Sequence, residues 1–558
     1  MLYTFFRLFE PFITRVGVLC KPVGASAREQ AGTTRCRLDN MATAGLAVSS
    51  PARDLVLQIF NNLLNNRFLS KSRMMKVRKV WGVLLVAVAL IMGSCSKESE
   101  EPMPDPKFEW TTAVATDVPV FVVPDTQVEI AYAAEHVQSV KTESLPAGWS
   151  ATVDQDARKI EISATADAET KATLTVTVAG AGGKNLSQKV ELYCLNAFDD
   201  PAGVFVLNEG NMTAENGSLT WISPEGYVVA DAYKTVNGTE LGNVAQDMAF
   251  CNGKVYIISQ NGNKNPNGTV FENDGMLVVA DAHTLKRTAA YTNDDLQGLD
   301  WPTHIAVLDE QHLYIRDNAG IYRFDPTAKS LTFVTGSDGA PKSRFVTMGG
   351  KAYTFKSGYL SKILELSTES DAVTSISFPY SIPCMINRVL GIQGADDGRM
   401  WVMTSTSTTV GSGQIAIGKF NLSDRSMIQR RIGVEPAVGS SGEAFAAYGN
   451  NLYYADGVTV YCLLFDESED LKADSGLEAE QWMVDLSALD KNAGIRYNGL
   501  GVHPKSGRVY INTLKSYALF GQNQIWGFDF ATSTEAPAVK YENYTHFPAG
   551  FYFPAGRQ

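Results

Sequence analysis

The sequence is short of the groups on which most catalytic centres are built. Six histidines occur in 558 residues and none stands in an HExxH pattern, so little is left for a histidine-built metal centre. There is no GxSxG elbow and no Walker loop, which removes the common serine-hydrolase and nucleotide-phosphate signatures. The segment FENDG at 271–275 lacks the repeated oxygen-ligand spacing of a calcium loop. Seven cysteines follow no CxxC or framework spacing. Cys194, Cys251, Cys384 and Cys462 read as small buried hydrophobes, with pairing among some of them left open. No apolar run approaches the roughly 20 residues that span a bilayer. Amphipathic helical periodicity is almost absent, which argues against a parallel βαβ fold.

What is present starts at 74–95, MMKVRKVWGVLLVAVALIMGSC. Lys76, Arg78 and Lys79 precede about 13 apolar residues and then small residues before a cysteine, the layout of a secretory signal. The ending MGSC resembles the lipobox of bacterial lipoproteins, which implies lipidation at Cys95. Residues 1–73 read as an upstream extension, with Met74 or Met75 as the start. Residues 96–107 are acidic and proline-rich and read as a flexible tether. Lys97, Glu98, Glu100 and Glu101 resemble the cluster that directs Bacteroidetes lipoproteins outward. The expected location is the outer membrane, lipid-anchored and facing the exterior.

The charge sharpens once 1–95 is set aside. Its 13 Lys/Arg and 4 Asp/Glu leave 35 basic against 56 acidic residues, a net charge of −21. A nucleic-acid partner is disfavoured, because phosphate binding needs a basic surface.

Two β-rich regions follow. From 108 to 198, alternating β-branched stretches such as QVEIAYAA and ATLTVTVAG predict a small antiparallel sandwich. It resembles the Ig- or PKD-like spacers of bacterial surface proteins. From 200 to 558 a Gly or Asn turn and a Tyr/Val strand recur: NGKVYIIS, EQHLYIRD, GGKAYTFK, DGRMWVMT, GNNLYYAD and SGRVYINT. Each is preceded by one apolar strand and followed by another, with a period of roughly 40 to 57 residues that signals a β-propeller. The run VFVL at 204–207 has no strand ahead of it. Its partner is expected at 546–554, HFPAGFYFP, which would close a seven-bladed ring and leave no exposed sheet edge. The fold class is therefore all-β.

Long loops fall at 208–217, 260–275, 405–413 and 515–524 between the second and third strands. Others lead into inner strands at 293–303, 379–387 and 492–497. All belong to one face, and loops this long in a compact domain carry function. Aligning the inner strands places Asp247, His304, Arg344, Arg388, Glu443, Asn498 and Ala549 at the channel mouth. Such a polar set serves either to bond neighbouring blades or to orient a ligand. Rim aromatics Trp301, Tyr359, Tyr380, Tyr454, Tyr497, Tyr517, Phe520 and Tyr544, with Asn208 in the first rim loop, suit a large flat or amphiphilic ligand. An Asp247/Glu443 pair is the one arrangement with glycosidase potential, and sequence cannot supply its separation. The reading is a binding protein, not an enzyme, with no cofactor and no metal.

The stretch GVFVLNEGNMTAENGSLTWISPEG resembles the opening of a propeller family of Bacteroidetes surface lipoproteins. LVVADAHTLKR and GVHPKSGRVYI are similar to YncE-like strands, and FPAGFYF resembles the family's closing strand. The likeness covers about 200–558 and extends to BtuG-like, cobalamin-capturing members. It implies capture of a small-molecule nutrient, a corrinoid or a glycan, and a TonB-dependent transporter as partner. No ligand-contact motif of the family can be matched residue by residue. A protein-binding scaffold is the third reading.

Overall fold

The computed structural model describes residues 103–115, 117–264, 271–380, 382, 384–437, 443–468, 480–554 and 556. The expected upstream extension, signal, Cys95 and most of the tether lie outside the described residues. Among the described residues no helix is long and apolar enough to cross a membrane.

The first two sheets have four strands each and share one core. Lys107–Trp110, Gln127–Glu135, Lys159–Ala164 and Trp149–Asp154 form one. Val120–Val122, Asn185–Cys194, Lys171–Gly180 and Val137–Thr142 form the other, with Val120–Val122 running parallel to its neighbour. In KATLTVTVAG every second residue is buried, the period of a strand with one face on a core and one in water. Ile130, Ile160, Ile162, Leu174, Val176 and Val178 fill the space between the sheets.

Seven further four-stranded antiparallel sheets follow. Six occupy 243–291, 304–333, 346–377, 388–432, 445–485 and 495–542 in chain order. The remaining one, the first sheet, combines Val204–Asn208, Ser218–Ile222 and Val228–Val229 with Pro548–Tyr552 from the far end of the chain. Second strands such as Met400–Ser405 and Val509–Leu514 are buried at every position, because neighbouring sheets cover both faces. That is why the Tyr/Val runs do not alternate. Outer strands such as Arg287–Tyr291 and Ser370–Ser377 are largely exposed. Each leading strand touches the leading strands of the sheets before and after it, from 243–251 round to 548–552, which in turn touches 243–251. The arrangement is propeller-like.

The seam is a ladder of backbone pairs: Pro548 with Asn208, Gly550 with Leu207, Phe551 with Val206 and Tyr552 with Phe205. The Glu209 N–H donates to the Phe547 carbonyl (2.8 Å), and the Thr220 hydroxyl donates to the Tyr544 carbonyl (2.8 Å). The sandwich is not loosely strung to this sheet. Phe198, fully buried, meets Trp221 edge-on at 4.9 Å, and Tyr193 donates its hydroxyl to Glu225 (3.0 Å). The four described cysteines are free thiols, three of them buried.

Deleting 546–558 removes the buried side chains Ala549, Phe551 and Tyr552, each large one worth about 1.5–3 kcal/mol. It also bares the edge of Val204–Asn208 to other chains. The truncated chain is expected to lose the cooperative melt of the seven-sheet region in circular dichroism, and an unchanged midpoint would refute the seam.

Candidate functional site

The centre of the seven sheets is organised by charge. The leading strand Asn243–Cys251 carries register breaks on either side of Ala245, and Val244 sits at φ 58°, a costly conformation for a β-branched residue. Such bulges re-aim side chains. Here Asp247 is turned inward and is 1% exposed. Its Oδ2 accepts from the Ile305 N–H (3.0 Å) and its Oδ1 from the Tyr552 hydroxyl (2.9 Å). Arg344, just ahead of the fourth sheet, reaches across to it (Nε to Oδ1 3.4 Å). The same guanidinium meets Glu443 (Nη1 to Oε1 2.8 Å), donates to the Phe551 carbonyl (3.2 Å) and lies 4.1 Å over the Tyr552 ring. A Cβ on Gly550 would stand 2.5 Å from Arg344 Nη2, so a larger residue there would displace the guanidinium from this position.

Asp247, Arg344 and Glu443 thus come together as a crossbar inside the channel. Tyr552 and Gly550 complete it, and neither stands out in sequence. Burial holds the Glu443 carboxyl above the ordinary value of 4.5, against the pull of Arg344. Burial likewise pushes the Tyr552 phenol well above 10.0. Arg344 sits between the two carboxylates, so Asp247 and Glu443 face a cation and not an open glycosidic cleft.

The other aligned residues go elsewhere, which corrects the picture of one polar mouth. Arg388 pairs with Glu435 and donates from Nε to the Ser407 carbonyl (3.4 Å), within its own sheet's loops. His304 is buried with Nδ1 3.0 Å from the Thr303 hydroxyl. Asn498, at φ 54°, donates to Glu209 Oε1 and to the Pro548 carbonyl, both at 3.1 Å, and locks the seventh sheet to the first. Asn208 is buried in the seam, where its Oδ1 accepts from the His546 N–H (3.2 Å). Ala549 is core.

The aromatics divide in the same way. Tyr454 is fully buried in a core and Tyr544 packs against another, so neither is a rim residue. Tyr380 (78% exposed), Tyr517 (63%) and Trp301 (44%) stand on the long loops, and Tyr359 (83%) stands on the shorter turn 357–361 between the second and third strands of its sheet. Leu360, Met385, Val410 and Leu519, exposed on the same loops, were not expected there. Trp301 sits at φ 59° with Lys342 Nζ 5.3 Å from its ring centre. Tyr497 donates to Glu209 Oε2 (2.8 Å) and meets Tyr517 and Phe547 at 6.3 and 5.3 Å, while Phe520 stacks on Phe547 at 4.4 Å. Glu209, two residues past the apolar run 204–207, carried no sequence signal of this role.

A cavity of about 330 Å³ lies beyond the crossbar, lined by residues of all seven sheets. Arg344 and Glu443 bound its inner end. Its walls come from later positions of the leading strands, and Tyr448, Pro504 and Lys505 come from the ends of leading strands or the turns after them. It therefore lies towards the face opposite the long loops. Among the described residues no group of three or more His, Cys, Asp or Glu could hold a metal ion.

Residues 202–554 match the family model described as a domain of unknown function, DUF5074. The chain belongs to the DUF5074 family. No curated protein matches it. Among solved structures, a quinoprotein alcohol dehydrogenase-like protein of Bacteroides thetaiotaomicron is similar at 14% identity and TM-score 0.46, over 80% of this chain and 99% of that one. A protein of unknown function from the same organism gives 11% and 0.26, over 74% and 96%. An apocarotenoid oxygenase of Synechocystis gives 8% and 0.32, over 68% and 87%. Identities this low carry no activity across to the DUF5074 chain.

Arg344→Met should cost about 3–5 kcal/mol in urea unfolding, because it strands two carboxylates without their cation. The raised Glu443 value means that its proton is held more tightly in the folded state. Its stabilising share is full below 4.5 and is lost as pH rises through the raised value. Glu443→Gln should therefore flatten that part of the stability–pH curve, and parallel curves for the two proteins would contradict the crossbar.

Proposed function

We propose that this chain is a seven-bladed propeller behind an Ig- or PKD-like spacer, held by lipid on the outer membrane and facing the exterior. Its long-loop face captures a corrinoid-like nutrient and passes it to a TonB-dependent transporter. One observation supports this above the rest: eight large apolar side chains stand exposed on the loops of that single face, four of them aromatic. Large apolar groups left in water on one surface mark a binding face. Tyr and Trp offer flat contact area with a polar edge at low entropic cost. A corrinoid, broad and amphiphilic, suits a ring of such side chains better than a deep narrow pocket does. The crossbar below supplies a rigid floor.

A glycan is the second reading, and one observation favours it. Tyr497 meets Tyr517 and Phe547, and Phe520 stacks on Phe547, and such a cluster of rings suits the flat face of a sugar.

Calorimetric titration with cobalamin is expected to give saturable heat at tens of micromolar. Tyr380→Ala and Tyr517→Ala are each expected to weaken binding about tenfold, or about 1.4 kcal/mol. No heat with cobalamin, together with heat from oligosaccharides that Tyr517→Ala removes, would replace the first reading by the second.

A further inference from the structure

The cavity beyond the crossbar is separate from the long-loop face, and its charge is not balanced. Asp247 accepts from the Ile305 N–H and the Tyr552 hydroxyl, and Arg344 Nε lies 3.4 Å from its Oδ1 as an ion pair. Arg344 supplies one positive charge between Asp247 and Glu443. Glu443 uses only Oε1, and Oε2 has no hydrogen-bonding partner among the described residues. With Glu443 ionised, the inner end holds two negative charges and one positive. The walls include Phe345, Val346, Phe445, Val502 and Phe551 beside the polar side chains of Thr347 and Gln393. Asp396 and Lys505, which also line the cavity, add one charge of each sign. An uncompensated charge beside apolar surface is costly, and the raised Glu443 value reflects that cost.

We propose that this cavity is a binding site for a small organic cation, an ammonium group on an apolar body. The ammonium nitrogen donates to Glu443 Oε2, which brings the inner end to zero net charge. The body lies against Phe445 and Phe551, whose ring faces attract a cation as well as apolar carbon. An anion would add a second uncompensated negative charge. A neutral molecule of the same shape would gain the wall contacts and leave the imbalance in place. Charge is therefore the selecting feature, and the volume of about 330 Å³ limits the ligand to a single ring or a short chain.

The test compares three probes of one shape on the intact chain: 2-phenylethylamine, 2-phenylethanol and 3-phenylpropanoate. In thermal melts, the amine at tenfold excess over its dissociation constant should raise the midpoint by about 1.5–2 °C. The alcohol and the acid should not. Glu443→Gln keeps the Arg344–Asp247 pair and should abolish the amine shift, while Glu443→Asp keeps the charge and should retain part of it. Equal shifts from all three probes, a preference for the acid, no shift with the amine at millimolar concentration, or a full amine shift in Glu443→Gln would each overturn the proposal. Should Glu443→Gln fail to fold, the probe comparison and Glu443→Asp decide alone. Tyr380→Ala, on the long-loop face and outside the cavity lining, is expected to leave the amine shift unchanged, so the two sites fail independently.

Discussion

One cation holds the middle of this molecule together. Arg344 leaves the approach to the fourth sheet and meets groups from the second, the sixth and the first: Asp247, Glu443, the Phe551 carbonyl and the Tyr552 ring. The leading strands of neighbouring sheets touch in sequence, and a space between Asp247 and Glu443 remains to be bridged. A guanidinium spans it with several donors in a fixed plane, which lysine could not do with one nitrogen. The arrangement is also selective for register. Asp247 reaches the axis only through its bulges, and a larger residue at position 550 would displace Arg344. The crossbar therefore reports that three distant strands have all arrived correctly.

The second constraint is topological. A sheet that begins mid-chain without a leading strand would present a bare edge, and the C-terminal segment covers it. Asn208, Asn498, Glu209 and the Phe547 carbonyl all serve that junction. Residues that look like ligand-binding groups in sequence are thus partly employed in joining the two ends. The same junction gathers the Tyr497–Phe547–Phe520 aromatics, so its architecture and any recognition there share side chains.

The repeating second strands were readable from sequence because burial on both faces makes them continuous apolar runs, bounded by Gly and Asn turns. The inner-strand alignment was readable for Asp247, Arg344 and Glu443, which do converge. It misled at Arg388 and Asn498 for one physical reason. Register breaks lie between Val389 and Gly391 and between Arg496 and Leu500, and each rotates its neighbours off the axis. A third break, between Pro548 and Gly550, puts Tyr552 in place of Ala549 at the channel. Bulges leave no composition signal, so alignment by apolar cores cannot see them. Tyr454 was misplaced for a related reason: a tyrosine in a second strand reads alike whether its ring is wet or enclosed. The cavity beyond the crossbar had no sequence signature, since its lining is drawn a few residues at a time from every sheet.

The packing of Phe198 on Trp221 has a mechanical side. Asn196 and Phe198 are buried, and Asp199 bonds His283 (2.8 Å), so the segment joining sandwich to sheets has little freedom to swing. Tension arriving at the N-terminal side of the sandwich passes through this joint into the first sheet. That sheet also holds the last strand of the chain. A pull entering through this joint and one entering through Pro548–Tyr552 therefore meet in the backbone bonds of the same sheet.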